Sequence, residues 1–140
     1  MLRQSSTTLP IRAERRGLHE FTPQVRKFVA ESGISDGVVT IFCRHTSASL
    51  LIQENAAPAV QRDLIAFFDR LAPESRSLYE HDDEGPDDMP AHLKTALTQV
   101  SLTIPLLDGQ LALGTWQGIY LFEHRNHAHR RSVVLHLIGE

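Results

Sequence analysis

Apolar and polar positions along the chain alternate in some segments, recur every three or four residues in others, and run together in a few; these patterns predict its elements. Leu2 to Leu9 is polar and weakly alternating, with Thr7 and Thr8 favouring extended backbone, and predicts an edge strand closed by Pro10. Gly17 to Phe21, where Leu18 and Phe21 flank His19 and Glu20, predicts a second, short strand. Thr22 then offers a helix N-cap and Pro23 a first helical residue, while Val25, Phe28 and Val29 recur at helical spacing up to a stop at Gly33. Val38 to Cys43 is β-branched and apolar on both faces, the mark of a buried strand, and it delivers Arg44 and His45 at its end. Ala48 to Ile52 is a further short apolar run, followed by Gln53, Glu54 and Asn55.

Val60, Leu64, Phe67, Phe68 and Leu71 fall on one helical face between Pro58 and Pro73 and predict a second helix. The acidic stretch from Glu80 to Asp88 contains Gly85 and Pro86 and predicts irregular structure. After Pro90, the spacing of Leu93, Leu97 and Val100 predicts a helix over Ala91 to Gln99, with His92 in its first turn. Ser101 to Leu107 and Gln110 to Gly114 flank Asp108-Gly109, a dipeptide suited to the positive backbone angles of a tight hairpin. Ile119 to Glu123 and Ser132 to Ile138 predict the last strands, joined by a polar link from His124 to Arg131. The order is two strands, a helix, two strands, two helices and four strands. It predicts an α+β fold with a largely antiparallel sheet system, because parallel crossovers demand stricter alternation of strand and helix.

A length of 140 residues predicts a single domain over 1–140 with its own core. The net charge of −3 supplies no basic field, so neither nucleic acid nor a membrane surface is an expected partner. A single cysteine, Cys43, excludes an internal disulfide and a multi-cysteine zinc site, and makes a reducing, cytoplasmic setting the expectation. No apolar run has the length of a signal core or a membrane span, so a soluble chain is expected.

Candidate chemistry concentrates where elements meet turns. His45, His81 and His92 each sit at such a junction, and the last two bracket the acidic stretch. Neutral imidazole suits divalent transition metals and proton transfer near neutral pH, while carboxylates hold hard cations or orient the histidines. The run His45-Thr46-Ser47-Ala48-Ser49 lets a ligand approach backbone and hydroxyls, or equally is a structural histidine beside an ordinary turn. The acidic loop lacks the spacing of an EF-hand, and reads either as a source of carboxylate ligands or as a solvated loop. In Gly114-Thr115-Trp116-Gln117-Gly118 the tryptophan either stacks on a planar ring, with Thr115 and Gln117 bonding to it, or plugs the core. Glu123, His124 and Arg125 form a fourth group after an apolar strand, and Arg125, Arg130 and Arg131 offer forks for phosphate or simply face water.

These residues carry a resemblance. His45-Thr46-Ser47-Ala48-Ser49, Glu54-Asn55, Tyr79-Glu80-His81, Gly85-Pro86-Asp87-Asp88, His92-Leu93-Lys94, Ser101 to Pro105 with Gly109, and Gly114 to Ile119 resemble the YjbQ-like family over essentially the whole chain. Members of that family are often described as secondary thiamine-phosphate synthases. The resemblance implies a small α+β fold of two packed β-sheets with flanking helices, assembled as a homotrimer, with a histidine-lined site that can hold a metal ion. Carried onto this sequence, it implies His45, His81 and His92 as ligands of a divalent ion (zinc, magnesium or manganese), with Glu54, Asn55, Asp88, Glu123 and Arg125 around them. Two positions depart from the pattern: Gln53 stands where an asparagine is usual, and Asn126 where an aspartate is usual.

The implied reaction joins hydroxymethylpyrimidine diphosphate to thiazole phosphate and releases pyrophosphate. It needs cationic stabilisation of the leaving group, which a metal ion with Asp88 or the Arg125 fork could supply. It also favours an aromatic face and a carboxylate beside the pyrimidine cation, roles open to Trp116 and Glu123. On this reading Glu54, Asp88, Glu123 and Arg125 are catalytic, and Thr46, Ser47, Asn55, Thr115, Trp116 and Gln117 bind a small phosphorylated metabolite. The same parts serve two other readings: a metal-dependent hydrolase of a small phosphorylated or amide metabolite, and a non-catalytic module that binds metal or metabolite.

Overall fold

A computed structural model describes all residues 1–140. The elements follow the predicted order: β1 (Arg3–Ala13), β2 (Gly17–Glu20), α1 (Thr22–Ser32), β3 (Gly37–Cys43), β4 (Ala48–Glu54), α2 (Pro58–Leu71), α3 (Asp88–Leu97), β5 (Ser101–Leu107), β6 (Gln110–Leu111), β7 (Gln117–Glu123) and β8 (His129–Gly139). They build one five-stranded sheet, in the order β1-β8-β3-β5-β6, and one three-stranded sheet, β2-β7-β4. Every strand pair is antiparallel.

Period-two alternation decides which faces meet. Val39, Ile41 and Cys43 on β3, Leu102, Ile104 and Leu106 on β5, and Val133, Leu135 and Leu137 on β8 point inward from the larger sheet. Ala48 and Leu50 on β4 and Ile119 and Leu121 on β7 answer from the smaller one, and α1 adds Val25 and Val29 to the same core. The outer face of the small sheet is covered by α2, whose Phe68 meets Phe122 edge-on with ring centroids 5.6 Å apart. The outer face of the large sheet carries no helix and leaves Val38, Leu107 and Ile138 exposed. No helix is long and apolar enough to cross a membrane.

Several boundaries differ from those the pattern predicts. β1 runs through Pro10 to Ala13 instead of closing there, because it pairs with β8 alone, and an edge strand tolerates the missing N–H. α1 includes Thr22 as a helical residue. Its hydroxyl caps nothing: it donates to Glu20 and accepts from the Ile119 N–H. Gly33 ends the helix in the left-handed region as its position predicts, with φ 69°. α2 forms where predicted, but it lies on the surface of the sheet, so Phe67 and Leu71 stay exposed.

α3 begins at Asp88, three residues early, with Pro90 inside the first turn, where an N–H would have no helical partner. His92 therefore stands one turn above Asp88 rather than in the first turn. The hairpin at Asp108 and Gly109 has both residues at positive φ, 52° and 78°, the pair of angles its sequence predicts. β6 is shorter than expected and stops at Leu111, while β7 and β8 begin earlier, at Gln117 and His129. Where β3 and β8 cross, Gly37 faces Gly139, and a Cβ on Gly37 would lie 2.2 Å from the Ile138 carbonyl oxygen.

Candidate metal centre

The turn after β3 and the first two turns of α3 build the centre between them. Asp88, the first residue of α3, and His92, four residues on, share one helical face. His81 arrives from the acidic loop. The Nε2 atoms of both histidines converge on one oxygen, Asp88 Oδ2, at 2.8 Å for His81 and 3.1 Å for His92. One ligand atom from each of the three residues lies within 4.8 Å of the other two, a grouping that could hold a metal ion.

The surrounding hydrogen bonds decide what these atoms can do. His92 Nδ1 lies 2.8 Å from the Thr46 carbonyl oxygen, so that nitrogen carries the proton. In the neutral ring Nε2 then presents a lone pair toward a carboxylate, an arrangement that calls for a cation or a proton between them. His81 Nδ1 is 3.3 Å from Asp83 Oδ1. A histidine whose outer nitrogen is held by a carbonyl or carboxylate is oriented for metal ligation through the inner one. The hydrogen bond to Asp88 raises the His81 pKa, against a smaller opposing effect of burial and with help from the Asp83 charge.

Asp88 is buried, which by itself would raise its pKa. The His81 hydrogen bond and the charges of His92 and Arg125 outweigh that and hold the carboxyl below its usual range. Its other oxygen, Oδ1, accepts from Arg125 Nη1 at 2.9 Å. The same guanidinium gives Nε to Asp87 Oδ2 at 2.9 Å and Nη2 to the Glu84 carbonyl at 2.8 Å. Burial likewise pushes Asp87 up, but Arg125 and the Asn126 N–H bring it below the ordinary value. The Asn126 amide donates to Glu74, so the position that departs from the family pattern ties the acidic loop to the end of α2.

The expected site residues therefore divide. His81, Asp88 and His92 come together, and Arg125 joins them as an organiser of carboxylates, its fork filled by Asp87, Asp88 and Glu84 rather than open to phosphate. His45 stands apart from that trio. Its Nε2 accepts the Ser132 N–H at 2.8 Å, and burial, then the Arg131 charge, lower its pKa. It lines, together with His92 and Thr46, an open cavity of about 750 Å³ between the end of β3 and α3. Glu123 is fully buried and grips Arg131 at 2.6 and 2.5 Å, so it has no free face to offer a substrate. Ser47 is part of the same knot, its hydroxyl 3.1 Å from Arg131 Nη2.

A second group lies at the other end of the small sheet. Glu54 pairs with Gln117 and Ala48 with Glu123, so six residue steps, about 20 Å, separate the two ends. Glu54 Oε2 accepts the N–H groups of Ala56 and Ala57 ahead of α2, and Gln117 Oε1 accepts the Gly114 N–H. Trp116 is 63% exposed, so it does not plug the core, and its carbonyl accepts the Asn55 N–H. Thr115 and Asn55 are exposed beside it. Within one chain, Glu54, Asn55, Thr115, Trp116 and Gln117 do not meet the histidines.

Arg131 was legible as an inward residue, because it continues the alternation of Val133, Leu135 and Leu137 toward the start of β8. Arg44 and Thr95, which line the cavity, carry no motif that would mark them.

The comparisons with known proteins agree with this architecture. The sequence profile of a family described as "UPF0047 protein YjbQ-like" matches residues 7–140. The chain belongs to this YjbQ-like family. It is 49% identical over 138 residues to a UPF0047 protein of Synechocystis, covering 99% of this chain and 94% of that one. It is 41% identical over 134 residues to the UPF0047 protein YjbQ of Escherichia coli O157:H7, covering 95% and 96%. Among solved structures, a YjbQ-like protein of unknown function from Sulfolobus solfataricus superposes with a TM-score of 0.91 at 26% identity, over the whole of both chains. A YjbQ/UPF0047 protein from Clostridium acetobutylicum does so at 0.81 with 38% identity, covering 93% of this YjbQ-like chain and 97% of its own.

Proposed function

We propose that this YjbQ-like protein is a divalent-metal-dependent enzyme acting on a small phosphorylated metabolite, with His81, Asp88 and His92 as the metal ligands. The observation that supports this most is the pair of Nε2 atoms aimed at Asp88 Oδ2, one of them on a ring whose proton is fixed at Nδ1 by the Thr46 carbonyl. Two imidazoles and one carboxylate suit zinc, manganese or iron better than magnesium, which prefers oxygen and water. When bound, the ion would supply Lewis-acid stabilisation to phosphate oxygens. Arg125 and Thr46 would keep the ligands in place, and His45, whose Nε2 takes the Ser132 N–H, would keep its proton on Nδ1 for a substrate oxygen.

Thiamine-phosphate synthesis, which the family resemblance implies, is the transfer reaction to test first. In it the bond from the pyrimidine methylene to the diphosphate oxygen breaks, the thiazole nitrogen bonds to that carbon, and pyrophosphate leaves. A hydrolytic reading is favoured by one specific observation: Arg125 and Glu123, the groups that the synthase reading places on the pyrophosphate and the pyrimidine cation, are both engaged by protein partners. The proposal includes a homotrimer, supported by the uncovered apolar positions Val38, Leu107 and Ile138 on the large sheet, and a cytoplasmic setting, supported by the single, buried cysteine.

The test is a mass-spectrometric assay of metal-analysed protein with hydroxymethylpyrimidine diphosphate and thiazole phosphate, beside a His81→Ala variant. Thiamine phosphate from the metal-loaded parent alone supports synthesis. Bound metal with release of inorganic phosphate and no joined product supports hydrolysis. No metal in either protein removes the proposal.

A further inference from the structure

The cavity between β3 and α3 has features that the metal centre alone does not require. One face of α3 runs from the centre into it: Asp88 and His92 supply Oδ2 and Nε2 to the cluster, and His92, Thr95 and Ala96 continue as the cavity's wall. Thr46 belongs to both, since its carbonyl fixes His92 Nδ1 while the residue lines the cavity. Its apolar lining includes Phe42 and Val100. No aspartate or glutamate lines it, and the one permanent cation on its wall, Arg44, takes part in none of the chain's side-chain hydrogen bonds or salt bridges. Its volume of about 750 Å³ falls among those of pockets for small organic ligands.

An uncommitted guanidinium and apolar side chains lining one cavity, which adjoins a cation-binding centre through His92, select for a particular kind of ligand. Guanidinium groups bind carboxylate or phosphate in a fork, and aromatic walls such as Phe42 favour flat apolar bodies. We infer that this cavity is the substrate pocket of the centre, and that it takes a flat apolar or aromatic metabolite with an anionic group at each end. One end meets the metal site and the other meets Arg44. This rests on the metal-centre reading above and extends it to the class of substrate.

Calorimetric titration of two probes tests it: phenylphosphonate, with one anionic end, and 4-phosphonobenzoate, with two. Zinc-loaded parent should bind 4-phosphonobenzoate about tenfold more tightly, the ratio expected of one added charge-assisted hydrogen bond. Arg44→Gln should erase that preference, and Ala96→Trp, which fills the cavity from an exposed helical position, should weaken both probes without disturbing zinc. Equal binding of the two probes, or a preference that survives in Arg44→Gln, overturns the pocket. So does zinc-loaded protein that binds neither. A preference that depends on Arg44 in protein unable to hold zinc would keep the pocket and remove the metal reading, so the two can fail separately.

Discussion

Arg125 Nη1 holds Asp88 Oδ1 at 2.9 Å, the one oxygen of that carboxylate that the two histidines leave free. Removal of the guanidinium would leave Asp87 and Asp88 buried without their cation. Arg125→Ala should therefore cost on the order of 3 kcal/mol or more in urea denaturation, as for broken buried pairs. Arg125→Lys should recover only part of it, because one ammonium cannot reproduce a three-way fork. A variant as stable as the parent but poor in substrate binding would return Arg125 to the role of phosphate ligand.

The separation of His45 from the trio gives a contrast in metal binding. Zinc should raise the melting temperature of the parent and of His45→Ala, but not of His81→Ala or His92→Ala. Excess zinc at about a hundred times its Kd would add roughly 2.7 kcal/mol of apparent stability. Loss of the zinc effect in His45→Ala would mean that the histidine of the β3 turn is a ligand after all.

Glu123 on the small sheet and Arg131 on the large one form a buried ion pair that ties the two layers together. Glu123→Gln should destabilise by about 3 to 5 kcal/mol, since it strands the guanidinium. The double change Glu123→Leu with Arg131→Met should be less harmful than either charge deletion alone, because apolar pairs replace buried ion pairs well. Thermal denaturation of the parent, Glu123→Leu, Arg131→Met and the double variant measures the coupling.

Thr95 Oγ1 is buried and has no partner. Thr95→Val keeps the shape and removes a buried hydroxyl that no protein group satisfies, so stability should be unchanged or rise by up to about 1 kcal/mol. A fall of that size would show that the hydroxyl is satisfied in solution.

His124 is held neutral by burial first and by the Lys94 and Arg131 charges second, its pKa pushed down to about 3. Its Nε2 meets Ser49 Oγ at 2.9 Å, and its Nδ1 has no partner. In the unfolded chain an imidazole takes up a proton near pH 6.5, so below that pH the unfolded state binds a proton that the folded state refuses until about pH 3. Stability should then fall as pH falls through this window, by about 1.4 kcal/mol per unit at most. Urea midpoints between about pH 6.5 and 5, above the range where Asp87 and Asp88 titrate, should drop in the parent and stay flatter in His124→Gln.

Much of the architecture could be read from periodicity. The alternation of β8, the Asp108-Gly109 turn and the Gly33 stop are local signals that placed their elements. β3, apolar on both faces and expected to be buried on both, has only Val39, Ile41 and Cys43 inside and leaves Val38 and Phe42 exposed, because no helix covers the outer face of the large sheet. Boundaries failed where a tertiary partner overrode a local rule, as at Pro10, carried by β8, and at Pro90, absorbed into the first turn of α3. The site was legible in its residue types and only partly in its membership. Spacing cannot say that Arg125 would spend its donors on the acidic loop, or that Glu123 would turn inward to Arg131. Nor could it place Trp116 at the far end of a seven-residue strand from the histidines, since that distance follows from the register of β4 on β7.

β8 has consequences for how the chain reaches its native state. It lies between β1 and β3, and its first partner, β1, comes from the opposite end of the sequence. During synthesis the large sheet lacks the strand that joins β1 to β3 until β8 leaves the ribosome, and β1 and β3 wait with unpaired edges. Such long-range pairings raise the contact order, and folding should be slow compared with that of helical proteins of the same length. The nascent chain, rather than the finished molecule, is then the form most exposed to aggregation.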